Sequence, residues 1–138
     1  MTNRSMPPGT IIPELAYPDV REAVDLLCKA FGFSERLRIG SHRSQLTFGD
    51  ASIIATKRNS NLTAGDTTHA IMVCVENVNA HYNRVLSFDM KITNLPTDYP
   101  YGERQYSVED PGGHHWIFSQ TLKNIDPEEW GGVLVETD

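Results

Sequence analysis

The sequence predicts an α+β fold of two βαβββ modules whose curved mixed sheets surround a cavity. Two observations carry that expectation. Short β-prone runs alternate with only two amphipathic helical segments, and the order of elements in the first half is restated in the second. Laying Pro18-Asp19-Val20 over Glu76-Asn77-Val78 brings both helices and the strand runs into rough register. Either half alone would leave one face of a small sheet uncovered, so the two are expected to share a core or a cavity.

Each element has a local cause. Thr10 to Tyr17 is a β-type run that Pro18-Asp19 breaks. Asp19 is an N-cap with Glu22 three residues on, and Val20, Ala23, Val24, Leu27 and Phe31 share one helical face before Gly32 closes the helix. Three strands are then expected at Ser34 to Ile39, Arg43 to Phe48 and Ala51 to Thr56, separated by turns at Gly40-Ser41-His42 and Gly49-Asp50. A polar stretch over 58–68 reads as a linker. The second module opens with a strand over His69 to Val75, then a helix capped by Asn77 carrying Val78, Tyr82, Val85 and Leu86 on one side. Met90 to Asn94 is the next strand, Leu95 to Gly102 a loop, and Glu103 to Val108 another strand. Asp110-Pro111-Gly112-Gly113 is a tight turn with Pro preset at its second position, and His114 to Ser119 is the last strand. The chain is thus read as a single domain: module one over about 10–57, module two over about 69–120, and a tail over 121–138 that either forms one docked turn anchored by Trp130 or stays frayed.

Composition narrows the function. In 138 residues, 12 Lys plus Arg against 18 Asp plus Glu leave a net charge of −6, which argues against nucleic acid. No apolar run approaches the roughly 20 residues of a membrane span, so no membrane partner is expected. Residues 1–9 carry no apolar stretch of the secretory kind, which points to a cytoplasmic chain. Cys28 and Cys74 each sit in an apolar run and are read as buried thiols.

Ile12-Pro13-Glu14-Leu15-Ala16-Tyr17-Pro18-Asp19-Val20, Ala30-Phe31-Gly32-Phe33, and Tyr101-Gly102-Glu103-Arg104-Gln105-Tyr106 running into Asp110-Pro111-Gly112-Gly113-His114-His115-Trp116-Ile117-Phe118 resemble the glyoxalase, bleomycin-resistance and dioxygenase superfamily, also called vicinal oxygen chelate proteins. The likeness spans roughly residues 10 to 120. It implies the glyoxalase/bleomycin-resistance-like fold, a small-molecule ligand and a homodimer. It also implies, for the enzymes of the superfamily, a divalent ion held by His, Gln or Glu from the first and last strands of each module. Carried onto this chain, the last-strand positions fall seven residues after Asp110, at Ile117, and in module one at Ile54. The first-strand positions fall eight residues before Val20 and Val78, at Ile12 and Ala70, with His69 adjacent. Parity puts Ile71, Val73 and His69 on the helix side and Ala70, Met72 and Cys74 on the cavity side, so His69 is a weak metal candidate and no metal is expected. His114 and His115 project to opposite faces and cannot bind one ion together.

On the cavity side the expected ligand-binding residues are Glu14, Arg43, Gln45, Met72, Cys74, Tyr101, Arg104, Tyr106, His115 and Trp116. Glu14 on a concave face needs a partner such as Arg43 or Arg104, or could act as a general base. Arg104 could grip an anion bidentately, and Tyr101, Tyr106 and Trp116 could stack a planar ligand, although Tyr106 and Trp116 equally suit the core. Gly102 permits a close approach of the loop to a neighbour.

The reading favoured by the absent metal donors is a metal-free small-molecule binding protein without cofactor, sequestering an antibiotic or metabolite. The alternative is a lyase, isomerase or dioxygenase-type enzyme that uses a non-standard divalent metal site or Glu14 as base. A third is a structural module with a vestigial cavity. The net charge of −6 adds a mild bias toward a cationic ligand.

Overall fold

The computed structural model describes residues 5, 7–58 and 70–134. They fall into two compact units. One holds the described residues up to Arg58 together with Asp110–His114, the other those from Ala70 to Glu109 and from His115 onward. No helix among the described residues is long and apolar enough to cross a membrane.

The first unit carries a mixed four-stranded sheet in the order β1-β4-β3-β2, with β1 (Glu14–Tyr17) parallel to β4 (Ala51–Lys57). β3 (Arg43–Phe48) and β2 (Ser34–Ile39) complete it through antiparallel ladders. β1 starts at Glu14, later than the Thr10 expected, because Pro13 has no N–H to contribute. The Pro13 carbonyl accepts from Ile54 N at 2.9 Å. Helix α1 (Val20–Leu26) begins where the Asp19 side chain accepts the Glu22 N–H. It then widens into a π turn over Leu27–Phe31 that Gly32 ends at φ +90°. Val20, Ala23, Val24, Leu27 and Phe31 are all buried, as their spacing predicts. Glu35 pins the helix down: its carboxylate accepts both Arg21 amino groups at 2.7 and 2.9 Å, the Ser44 hydroxyl at 2.6 Å and the Arg38 guanidinium at 2.8 Å.

The same unit includes the Asp-Pro-Gly-Gly turn. Tyr17, 1% exposed, donates its hydroxyl to Asp110 Oδ2 at 2.7 Å, while Asp110 Oδ1 accepts the backbone N–H groups of Gly112 and His114. Arg58 donates to the Gly112 carbonyl, and His114 Nε2 lies 2.8 Å from the Ala16 carbonyl. The turn's acid is therefore a buried clamp, and His114 is tied down just before the last strand.

The second unit repeats the pattern with the order β5-β8-β7-β6, β5 (Ile71–Cys74) running parallel to β8 (His115–Thr121). Helix α2 (Val78–Val85) is capped by Asn77, which accepts from Ala80 N. Under it lie Trp116, Phe118, Tyr106 and Val108, all wholly buried, with His81 stacked on Phe118 at 4.0 Å and hydrogen-bonded to the Tyr106 hydroxyl. Burial alone pushes the Tyr106 phenol well above its ordinary pKa.

The structure departs from expectation elsewhere as well. β6 runs over Lys91–Asp98, taking in much of the stretch expected to be a loop. It is an edge strand paired with β7 (Glu103–Glu109), and an edge tolerates Pro96 because the missing N–H is not needed by a second neighbour. Cys74 is exposed rather than buried, since it has the open-face parity of β5, and Cys28 is half-buried; both thiols are free. Leu86 lies just past the last turn of α2 and is 54% exposed. His114 precedes β8 instead of starting it. In the tail, Asp126 caps a 3-10 turn over Pro127–Trp130, and Trp130 packs edge-on against Tyr101.

Candidate functional site

Each sheet has one face covered by its helix and one that is not, and the strand register sorts the side chains between them. In the second unit Met72 lies beside Ile117, Ile117 beside Ser107 and Ser107 beside Asn94, a single row across all four strands on the face away from α2. The next row is Cys74, Ser119 and Gln105. Along β8 the wholly buried Trp116 and Phe118 alternate with half-buried His115 and Ile117.

On this face lies a pocket of about 440 Å³. Ile117, Ala70 and strand β8 at Trp116 give it an apolar floor, and Thr93, Asn94, Ser107 and His115 border it with hydrogen-bonding groups. Thr93 and Asn94 are adjacent in sequence, and in a regular strand only one could face the pocket. The register of β6 slips between Ile92 and Asn94 and again before Thr97, and these bulges bring both to its wall. At one end Glu109, the cross-strand neighbour of His115, lies 3.7 Å from Lys91. On the same open face Glu103 accepts from the Ser119 hydroxyl at 2.6 Å and from Gln105 at 3.1 Å.

The residues singled out from sequence are distributed between the two units. Glu14, Arg43 and Gln45 lie in the first, on the open face of its sheet. Arg43 holds the Glu14 carboxylate with both amino groups, the shorter contact at 2.8 Å. That hydrogen bonding sets the Glu14 pKa below the ordinary carboxylate range. An ionised, paired, half-exposed carboxylate is a weak proton acceptor. Gln45 is 5% exposed: its amide donates to the Ser5 carbonyl at 2.8 Å and its oxygen accepts from Arg36. In the second unit Met72, Cys74 and His115 share the open face, and His115 borders the pocket. Tyr106 and Trp116 are core residues with no exposed surface, so neither offers a ring for a ligand to stack on. Tyr101 stacks on Tyr99, centroids 5.3 Å apart, and Arg104 is already gripped by Asp98 at 2.6 and 3.2 Å. Gly102, at φ +86°, passes so close to the Lys123 carbonyl that a Cβ would clash with it. Thr93, Asn94 and Ser107 were not anticipated. Ser107 was legible as the polar residue between Tyr106 and Val108; nothing in the sequence signals the bulge that turns Thr93 inward.

The superfamily's enzymes imply a divalent ion, and the side chains at the corresponding places do not fit one. Ile54 and Ile117 have no lone pair to offer, Ile12 lies ahead of β1, and Ala70 is at the pocket floor. His69 is outside the described residues. Among the described residues no three of His, Cys, Asp and Glu come together as a metal site.

Two βαβββ units, each a four-stranded mixed sheet with a helix on one face, match the glyoxalase/bleomycin-resistance fold. The family model for the glyoxalase/bleomycin resistance protein/dioxygenase superfamily matches residues 12–118, and the chain belongs to that superfamily. TioX from Micromonospora sp. ML1 is 30% identical, with 83% of this chain and 99% of TioX covered at a TM-score of 0.68. A glyoxalase/bleomycin resistance protein/dioxygenase family enzyme from Burkholderia phytofirmans PsJN superposes with a TM-score of 0.70 at 15% identity, covering 80% of this chain and 97% of that one, a likeness of fold alone. An uncharacterized protein of Mycobacterium bovis is 26% identical over 131 residues, covering 85% of this chain and 86% of that protein.

Proposed function

We propose that this chain is a metal-free small-molecule binding protein of the glyoxalase/bleomycin-resistance type, a cytoplasmic homodimer that takes up an organic ligand in the pocket over Ile117. The observation that carries the reading is Ile117 itself. The last-strand position at which the superfamily's enzymes hold a metal donor is here an isoleucine at the floor of a pocket of about 440 Å³, within the usual range for a small-molecule site. Membership of a superfamily that includes both binding proteins and enzymes does not choose between them, so the reading rests on the site chemistry. The dimer rests on the resemblance and on the general prevalence of two-fold assemblies. Glu14 as a general base finds no support, since Arg43 keeps it ionised and occupied.

Elemental analysis of the untagged protein after dialysis, followed by thermal shifts with Zn, Mn, Ni and Fe(II), tests the reading. The expected result is no stoichiometric ion and no stabilisation. A near-stoichiometric ion, or a stabilisation that His69→Ala abolishes, overturns it in favour of a metal enzyme. Sedimentation velocity reads the dimer directly.

A further inference from the structure

We propose that the ligand of this pocket is uncharged, with a head group that both donates and accepts hydrogen bonds, such as a carboxamide, carried on an apolar body. The inference rests on the pocket reading above and adds the chemical class. Of the described side chains bordering the pocket, none is Asp, Glu, Lys or Arg. Thr93, Asn94 and Ser107 each supply donor and acceptor together, and His115 adds a ring with one of each in its neutral form. The bulge in β6 lets the consecutive residues Thr93 and Asn94 both line the pocket, a hydroxyl and an amide suited to an amide's donor and acceptor. Below them Ile117 and Ala70 offer only carbon.

Several charged neighbours on the same unit are already partnered: Glu109 by Lys91, Glu103 by the Ser119 hydroxyl and Gln105, and Asp98 by Arg104. An ionic head would lose hydration on entering and meet no opposite charge among the described side chains that border the pocket, whereas a neutral amide exchanges its water for the polar rim. The net charge of −6 acts at long range on encounter and does not alter this local balance.

Three isosteric probes separate the possibilities: 2-naphthamide, 2-naphthoate and 2-naphthamidine, titrated into the full chain at pH 7.5 while the Ile117 methyl signal is followed by NMR. The amide is expected to bind at least about tenfold more tightly than either ion. Asn94→Ala should weaken the amide by about fivefold to tenfold. Asn94→Asp, a substitution on an exposed strand position, should reverse the order in favour of the amidine. If naphthoate or naphthamidine matches the amide in the unaltered protein, the inference falls while the pocket stands. If none of the three moves the Ile117 signal at millimolar concentration, the pocket reading itself fails.

Discussion

Replacing Tyr17 by Phe isolates one hydrogen bond in the clamp that holds the Asp-Pro-Gly-Gly turn. The ring is 1% exposed and packs edge-on against His114 with centroids 5.0 Å apart, so Phe retains the packing and loses only the hydroxyl. That hydroxyl donates to the Asp110 carboxylate, itself 4% exposed, alongside the Gly112 and His114 N–H groups. A hydrogen bond to a buried charge is worth about 1.5–3 kcal/mol, and with those donors remaining we take about 2 kcal/mol. At about 2.1 cal/mol/K per residue over a 138-residue chain, that loss lowers Tm by about 7 °C.

The pH dependence has a definite sign. Burial first, and then the Asp110 charge and hydrogen bond, raise the Tyr17 pKa well above 10 in the folded state. A group whose folded pKa is raised contributes fully below its unfolded pKa and is lost as pH rises toward the folded one. The wild type should therefore lose stability above about pH 10 by up to about 1.4 kcal/mol per unit from this phenol, a slope Tyr17→Phe lacks. Tyr106 is shifted in the same direction in both proteins and cancels in the difference. Urea unfolding of both at pH 7.5, 10 and 11 should show a gap that narrows at the alkaline end. A Tm within about 1–2 °C of wild type, or a gap that stays constant to pH 11, would refute the claim that the phenol clamps Asp110.

Two further outcomes are expected. Glu35→Gln removes the carboxylate that joins Arg21 of α1 to Arg38 and Ser44 of the sheet. The loss at pH 7 should be about 2 kcal/mol, the scale of one hydrogen bond to a charged group. Because hydrogen bonding, led by Arg21 and Arg38, depresses its folded pKa, the contribution is complete above the unfolded value and drains away as pH falls below about 4.5, so urea midpoints of the two proteins should converge by pH 3. Glu14→Ala, by contrast, breaks a pair whose carboxylate side chain is half exposed. Calorimetry should record a loss below about 1 kcal/mol, as for other solvent-screened pairs.

Most of the fold was legible because two periodicities and a few caps specify it. Asp19 and Asn77 begin their helices where capping chemistry places them, Gly32 closes the first, and the strands Ser34–Ile39 and Arg43–Phe48 start and stop at the expected residues. Alternation in β1 buries Leu15 and Tyr17 and leaves Glu14 on the open face, where it was expected. What failed to show is what tertiary pairing decides. Lys91–Asp98 contains Pro96, which argues against a strand until one knows that the strand is an edge. Cys74 sits in an apolar run, and hydrophobic composition says nothing about which of a sheet's two faces a helix covers.

The candidate site obeys the same division. Period-two alternation marks one open face by itself, and on that face Ile117, Ser107, Met72 and His115 could be placed from the sequence. Partners were legible only in part. Arg104 looked available for an anion until Asp98 was found across the ladder from it, whereas the arginine partner expected for Glu14 is Arg43, two strands away in the order β1-β4-β3. Both charges that made the sequence suggest ionic chemistry are thus paired, Arg104 by its register neighbour Asp98 and Glu14 by Arg43 reaching from β3. The groups left to meet a ligand are the uncharged ones, Asn94 and Thr93 among them, brought together by an irregularity of β6. Charged residues catch the eye in a sequence, but Glu14 and Arg104 are each held by a partner of opposite charge, and in the proposed reading recognition passes to the amide and hydroxyl groups that border the pocket.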